Sequence, residues 1–105
     1  MMKIRIKFEY RCFPVWQYDC NDSLIENELP NSLLGDTVVD PLFVNLQEEF
    51  DSLFKDDGIE FKYIGFGEDD LKNQFIRRVD DAIKLLHDKL GDSYVIEKCL
   101  NAENL

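Results

Sequence analysis

The sequence predicts an α+β fold, a two-layer sandwich in which a mixed sheet of three to four strands carries two helices on one face. Three observations lead there. Residues 3–12 alternate without a miss, with Ile4, Ile6, Phe8, Tyr10 and Cys12 on one side and Lys3, Arg5, Lys7, Glu9 and Arg11 on the other. Such a period of two, polar on one side, describes a strand covered on a single face rather than one inside a doubly covered parallel sheet. Two later segments repeat their apolar residues at three and four, the spacing of amphipathic helices. Between and after these helices lie two short runs rich in β-branched and aromatic residues. The resulting order is β-(β)-α-β-α-β within one globular domain, 1–105, with 101–105 as a frayed tail.

Each element has its own signals. Pro14 removes a ladder donor, so the first strand bends there or continues only as an edge. Turn signals at Asn21-Asp22-Ser23 and Leu34-Gly35-Asp36 flank Leu29-Pro30 and mark residues 20–39 as a long connection, with room for a short strand near 23–28. Asp40-Pro41 supplies an N-cap and a first-turn proline for a helix whose stripe is Leu42, Phe43, Leu46, Phe50, Leu53 and Phe54, ended by Gly58. Opposite this stripe lie Val44, Glu48, Asp51 and Lys55. Residues 59–66 read as a second strand with Ile59, Phe61 and Tyr63 on one face. A helix over 68–90 buries Leu71, Phe75, Ile76, Val79, Ala82, Ile83, Leu86 and Leu90. Its outer face offers Arg77 with Asp81 and Lys84 with Asp88 as i,i+4 pairs. Gly91 ends it, and residues 94–100 form the last strand, joined to 59–66 by a right-handed parallel crossover.

Charge is distributed unevenly along the 105 residues. The chain carries a net −10, and nearly all of the excess falls in 17–60, where twelve carboxylates face Lys55 alone. A field of that sign repels nucleic acid and anionic membranes and attracts basic proteins; it also simply keeps a small protein soluble. The basic stripe of the first strand does not make a nucleic-acid platform. Base-stacking sheets interleave cations with outward aromatics, whereas Phe8 and Tyr10 point inward here, and the stripe is expected to pair with Glu60, Lys62 or Glu97. No run approaches the ~20 apolar residues of a membrane span, and MMKIRIKFEY lacks the apolar core of a signal peptide. Three cysteines without a CxxC pair point to reduced thiols. A cytoplasmic location is expected.

Catalytic signatures are missing from the pattern. His87 has no HExxH or Cys-His context, and Gly65-Phe66-Gly67 lacks the Lys-Ser/Thr of a phosphate loop. Asp19-Cys20-Asn21-Asp22 starts like a calcium loop, but its sixth and twelfth positions hold Leu24 and Pro30 instead of Gly and Glu. The expectation is a non-enzyme with no cofactor and no metal.

One resemblance sharpens this. Cys12, Pro14, Trp16, Asp19 and Leu29-Pro30, followed by Phe50 to Phe54, Phe61 to Phe66 and Phe75 to Tyr94, make up a pattern spanning nearly the whole chain. It resembles the small bacterial immunity proteins of polymorphic toxin systems, including contact-dependent growth inhibition. The resemblance implies a cytoplasmic protein that binds one cognate toxin C-terminal domain, often a nuclease, and blocks it. It leaves the contact residues open. A nuclease cleft is basic, so an acidic inhibitor gains encounter rate, while desolvated Trp and Tyr are favoured anchors. On that basis the candidate partner-binding residues are Trp16, Tyr18, Asp19, Asp22, Glu26, Glu28, Glu48 and Asp51. Trp16 is read first as a residue packing its ring partly into the core and second as an anchor, and Tyr18 stands at the border between the two roles. The alternative is an interaction or regulatory module whose acidity serves only solubility. Oligomeric state is left open.

Overall fold

The computed structural model describes residues 2–100. Its main sheet has four strands in the order β3-β2-β1-β6, formed by β1 (Met2–Ile6), β2 (Val15–Tyr18), β3 (Leu24–Glu26) and β6 (Tyr94–Lys98). β1 runs antiparallel to β2 and parallel to β6, so the sheet is mixed. Helices α1 (Val39–Asp51) and α2 (Asp69–Leu90) pack on one face of it. Between them β4 (Phe54–Asp56) and β5 (Phe61–Tyr63) form a separate two-stranded hairpin. The α+β two-layer architecture is the one the periodicities predict. The frayed-tail expectation for 101–105 lies outside the described residues.

The alternation in the first strand sets the layers. Ile4 and Ile6 face Gln17 and Val15 on the inner side, where Val39, Phe43, Leu46, Phe75, Val79 and Leu86 close the core. Phe43, Phe75 and the two isoleucines are fully buried. Lys3 and Arg5 stand on the outer side, across from Tyr18 and Trp16 in β2 and from Val95 and Glu97 in β6.

Several expectations need correction. The first strand ends at Ile6 rather than Cys12, because residues 7–14 turn back into β2. Lys7 N–H donates to Pro14 O at 3.2 Å, and Arg11 takes a left-handed φ of 57°. Phe8 and Tyr10 still point inward, from this loop: Phe8 lies 5.3 Å from Phe75 and Tyr10 lies 4.9 Å from Phe61, centroid to centroid.

Helix α1 is capped by Asp36, not Asp40. The Asp36 Oδ1 accepts from Val38 and Val39 N–H, both at 2.9 Å, and these bonds, with Lys89 nearby, hold its pKa below the usual aspartate value. At its other end α1 stops at Asp51. Leu53 O instead accepts from Ile64 and Gly65 N–H, and Phe54 opens the hairpin whose turn contains Gly58 at φ 84°.

As a result, 59–66 is not a sheet strand linked by a parallel crossover to β6. It pairs antiparallel with β4, which leaves Ile59, Phe61 and Tyr63 exposed. Leu71 is exposed as well, at the solvent side of the first turn of α2. Among the described residues the i,i+4 pairs expected on α2 do not form. Apart from Lys72 with Asp69 at i,i+3, its paired charges reach other elements: Arg78 to Glu49, Asp80 to Lys98 and Lys89 to Asp36. Gly91 ends α2 with a left-handed φ of 63°, as its position in the sequence predicts.

Candidate partner-binding surface

The structure divides the eight sequence-predicted residues among separate places. Trp16 and Tyr18 sit on the outer face of the main sheet, a location the sequence analysis did not assign to any aromatic. Neither is a free anchor. Trp16 Nε1 donates to Lys7 O at 3.0 Å, and the Lys7 ammonium lies 4.7 Å over its ring. Tyr18 is 7% exposed, with the Arg5 guanidinium 4.4 Å above it. The cations therefore cover the ring faces on which a base would stack.

Asp22 neutralises the same face. Its Oδ1 is 2.7 Å from Lys3 Nζ and 3.3 Å from Arg5, and the Lys3 hydrogen bond lowers its pKa. Glu97 adds a second contact to Arg5 at 3.6 Å. The basic stripe thus pairs with Glu97, as expected, and with Asp22. Glu60 and Lys62, the other expected partners, lie on the hairpin and pair there.

Two further acids hold turns. Asp19 Oδ1 accepts from Asn21 and Ser23 N–H at 2.8 and 3.0 Å, which shapes the β2–β3 connection. Asp51, at the last position of α1, accepts from Arg11 N–H and from Gln47 Nε2, both at 2.8 Å. Gln47 Nε2 also donates to Glu9 O at 2.8 Å, so the pair clamps the β1–β2 loop onto α1.

Glu26, Glu28 and Glu48 remain. All are exposed, and among the described residues none has a cationic partner. Glu48 stands alone on the outer side of α1. Glu26 and Glu28 act together at the sheet edge: the Glu28 carboxyl shares a hydrogen bond with Glu26, and that contact and the like charge raise its pKa. The segment carrying them is firmly placed. Asn27 Nδ2 donates to Phe13 O and Val15 O at 2.6 and 2.9 Å, and Gln17 Nε2 donates to Glu28 O at 2.7 Å. A β-bulge between Gln17 and Tyr18 inserts Ile25 into the edge strand.

Around this pair the surface is concave and partly apolar. On one side a groove of about 310 Å³ is lined by Phe13, Asn27, Glu28, Leu29, Leu34 and Asp40. On the other, a groove of about 420 Å³ includes Gln17, Ile25, Glu26, Pro30 and Tyr94 in its lining. Leu24, Ile25, Leu34 and Val38 are exposed. Asp40 likewise lacks a cationic partner among the described residues. Sequence reasoning picked out Glu26 and Glu28 but missed the apolar side chains beside them. Adjacent Leu24-Ile25 inside an acidic turn region was the available signal.

These features define an α+β domain with one closed, charge-neutralised sheet face and one acidic, apolar sheet edge. No family model matches the chain, and no curated protein matches it significantly. Among the described residues no group of three His, Cys, Asp or Glu side chains is placed to hold a metal ion. His87 is exposed on α2, and Cys12, Cys20 and Cys99 are free thiols. No helix among the described residues is long and apolar enough to cross a membrane.

Proposed function

We propose that this protein is a non-catalytic immunity protein that binds a basic toxin domain, a nuclease being the natural candidate, through the β3 edge and the connection that follows. One observation carries the reading: unpaired Glu26, Glu28 and Asp40 stand among exposed Leu24, Ile25, Leu34 and Val38. Apolar side chains supply area to bury. Carboxylates left without internal cations supply charge that a lysine- or arginine-rich partner neutralises. Glu28 favours such a partner further, because a cation placed between the two glutamates relieves a like-charge contact already present in the free protein. The resemblance to immunity proteins supports the same class.

The test pairs this chain with a candidate basic toxin C-terminal domain, sought first in the neighbouring reading frame. Co-expression should rescue cells from that domain, and Glu26→Gln with Glu28→Gln should reduce rescue. Association is expected to run well above the neutral ~10⁵–10⁶ M⁻¹s⁻¹ and to slow as salt rises. Rescue that survives both substitutions, with an on-rate indifferent to salt, would remove the acidic edge from the mechanism.

A second reading has its own support. Asp19, Asp22 and Asp51 are engaged within the fold, so much of the acidity in 17–60 serves structure. An interaction module whose remaining charge serves only solubility would bind its partner equally well after the two glutamates are neutralised.

A further inference from the structure

One end of the inner sheet face opens into the groove of about 420 Å³, and strand alternation decides what lines it. Gln17 pairs with Ile4, and Tyr94 stands two residues before Ile96, which pairs with Ile4 from the other side. Both side chains therefore belong to the inner face, and Glu26 lies opposite Gln17 on β3. The neighbouring inner positions Ile4, Ile6 and Val15 are apolar and fully buried, so a glutamine at 17 breaks the pattern. Such local breaks are expected at functional sites. Gln17 is 5% exposed, and its Nε2 is spent on Glu28 O at 2.7 Å, which leaves Oε1 to accept. The same groove is walled by Ile25 and Pro30, with Asn31 at its side.

Elsewhere the molecule covers its aromatic rings with its own cations. The Arg5 guanidinium lies 4.4 Å over Tyr18 and is held there by Asp22 and Glu97. Lys7 lies 4.7 Å over Trp16, and Arg11 lies 5.3 Å over Tyr10. The groove offers the same two components, the half-buried Tyr94 ring and the Glu26 carboxylate. Among the described residues no cationic side chain covers that ring or pairs with that carboxylate. A guanidinium fits this lining better than an ammonium does. It is planar and weakly hydrated, so it stacks on an aromatic face while its forked N–H groups reach a carboxylate and amide oxygens. Its aliphatic stem then lies along Ile25 and Pro30. We propose that this groove receives a single arginine side chain of the basic partner, stacked on Tyr94 and paired with Glu26. The identity of that partner rests on the toxin-binding reading; the chemistry of the groove does not.

The test needs no toxin. Nα-acetyl-arginine methylamide is titrated into the isotope-labelled intact chain and followed by amide NMR. Shifts should saturate with a Kd of about 1–10 mM and centre on the Gln17 side-chain amide, Ile25, Glu26 and Tyr94. The matching lysine compound should bind at least about threefold more weakly, and the neutral citrulline compound should not bind. Glu26→Gln should weaken arginine binding about tenfold. Tyr94→Leu, which keeps the inner face apolar, should abolish the preference for arginine over lysine, with circular dichroism showing the fold retained. Asp88→Asn, an exposed acid on α2, should change neither. No saturation by about 50 mM, or equal binding of the three compounds, overturns the proposal. So does binding, or a preference for arginine, that Glu26→Gln and Tyr94→Leu leave unchanged. The two readings fail separately. Rescue that survives Glu26→Gln with Glu28→Gln while arginine binds the wild-type groove removes the toxin from this edge and leaves the groove. Lost rescue without arginine binding keeps the acidic edge and overturns the groove alone.

Discussion

Replacing Asp51 by Ala separates a structural role from a binding one, because the sequence and the structure assign this residue different work. In the sequence it lies on the acidic outer line of a helix. In the structure its carboxylate receives two hydrogen bonds of 2.8 Å, one from a loop N–H forty residues away and one from Gln47 Nε2. Hydrogen bonds to an ionised acceptor contribute about 1.5–3 kcal/mol each when buried. Asp51 is half-buried, which pulls the pair toward the lower end. Gln47 is more buried, and its Oε1 already lacks a partner, so losing Asp51 leaves that amide bonded only to Glu9 O. The net loss should be about 2–3 kcal/mol, which for a domain of this size lowers the melting temperature by roughly 10 °C. Urea unfolding followed by circular dichroism gives the free energy directly. A variant within about 0.5 kcal/mol of wild type that binds toxin poorly would refute the clamp and return Asp51 to the interface.

Further outcomes follow from burial and titration. Phe75→Ala, at the centre of the core, should cost about 3–5 kcal/mol, whereas Phe61→Ala on the hairpin should cost about 1; equal losses in denaturant melts would mean that the hairpin is part of the core. Glu28 has a raised pKa in the folded state, so its repulsion with Glu26 is absent at low pH and sets in as pH rises through the unfolded and then the folded pKa. Glu28→Gln should therefore stabilise the protein at pH 7 and have no such effect near pH ~3, read from urea midpoints at the two values. Asp36 and Asp22 have lowered pKa values, so the stability they supply is present above the unfolded aspartate value and lost as pH falls through the folded ones. Asp36→Ala should flatten the acid limb of a stability-versus-pH curve, and an unchanged limb would deny it the capping role.

Periodicity made much of the fold legible. Alternation from Lys3 to Ile6 gave β1 and the sidedness of the sheet, and the three-four spacing with Gly91 gave α2 nearly to the residue. The hairpin was hidden because its first aromatic fits two patterns. Phe50, Leu53 and Phe54 continue the helical stripe of α1, yet Phe54-Lys55-Asp56 also alternates as a strand. Asp57-Gly58 ends a helix or turns a hairpin equally well. Tertiary contacts decide between them: Tyr10 packs 5.0 Å from Phe54 and 4.9 Å from Phe61, and Leu53 O receives Ile64 and Gly65 N–H. At the candidate site, the count of acids was visible and their partners were not. The partners of Asp19 and Asp51 include backbone N–H groups, which no pattern of side chains records. The cations of Asp22 come from a strand about twenty residues earlier.

This sorting of carboxylates has a consequence for electrostatic steering. Charges that pair within the molecule contribute little field beyond a Debye length of about 8 Å at physiological salt, because the partner cancels them at close range. Asp22 beside Lys3 and Arg5 is such a case, and so is Glu60 between Lys55 and Lys62. The potential that reaches an approaching protein from the β3 edge therefore comes mainly from Glu26, Glu28 and Asp40, a smaller source than the twelve acids of 17–60 suggest. Geometry offsets the loss in number. The glutamates border two grooves with low-dielectric walls, Leu34 and Phe13 in one and Ile25 and Pro30 in the other. Such walls focus field lines toward the cleft. A few unpaired carboxylates in an apolar recess can thus steer a cation more effectively than many exposed ones, and they place it beside the side chains that bury on contact.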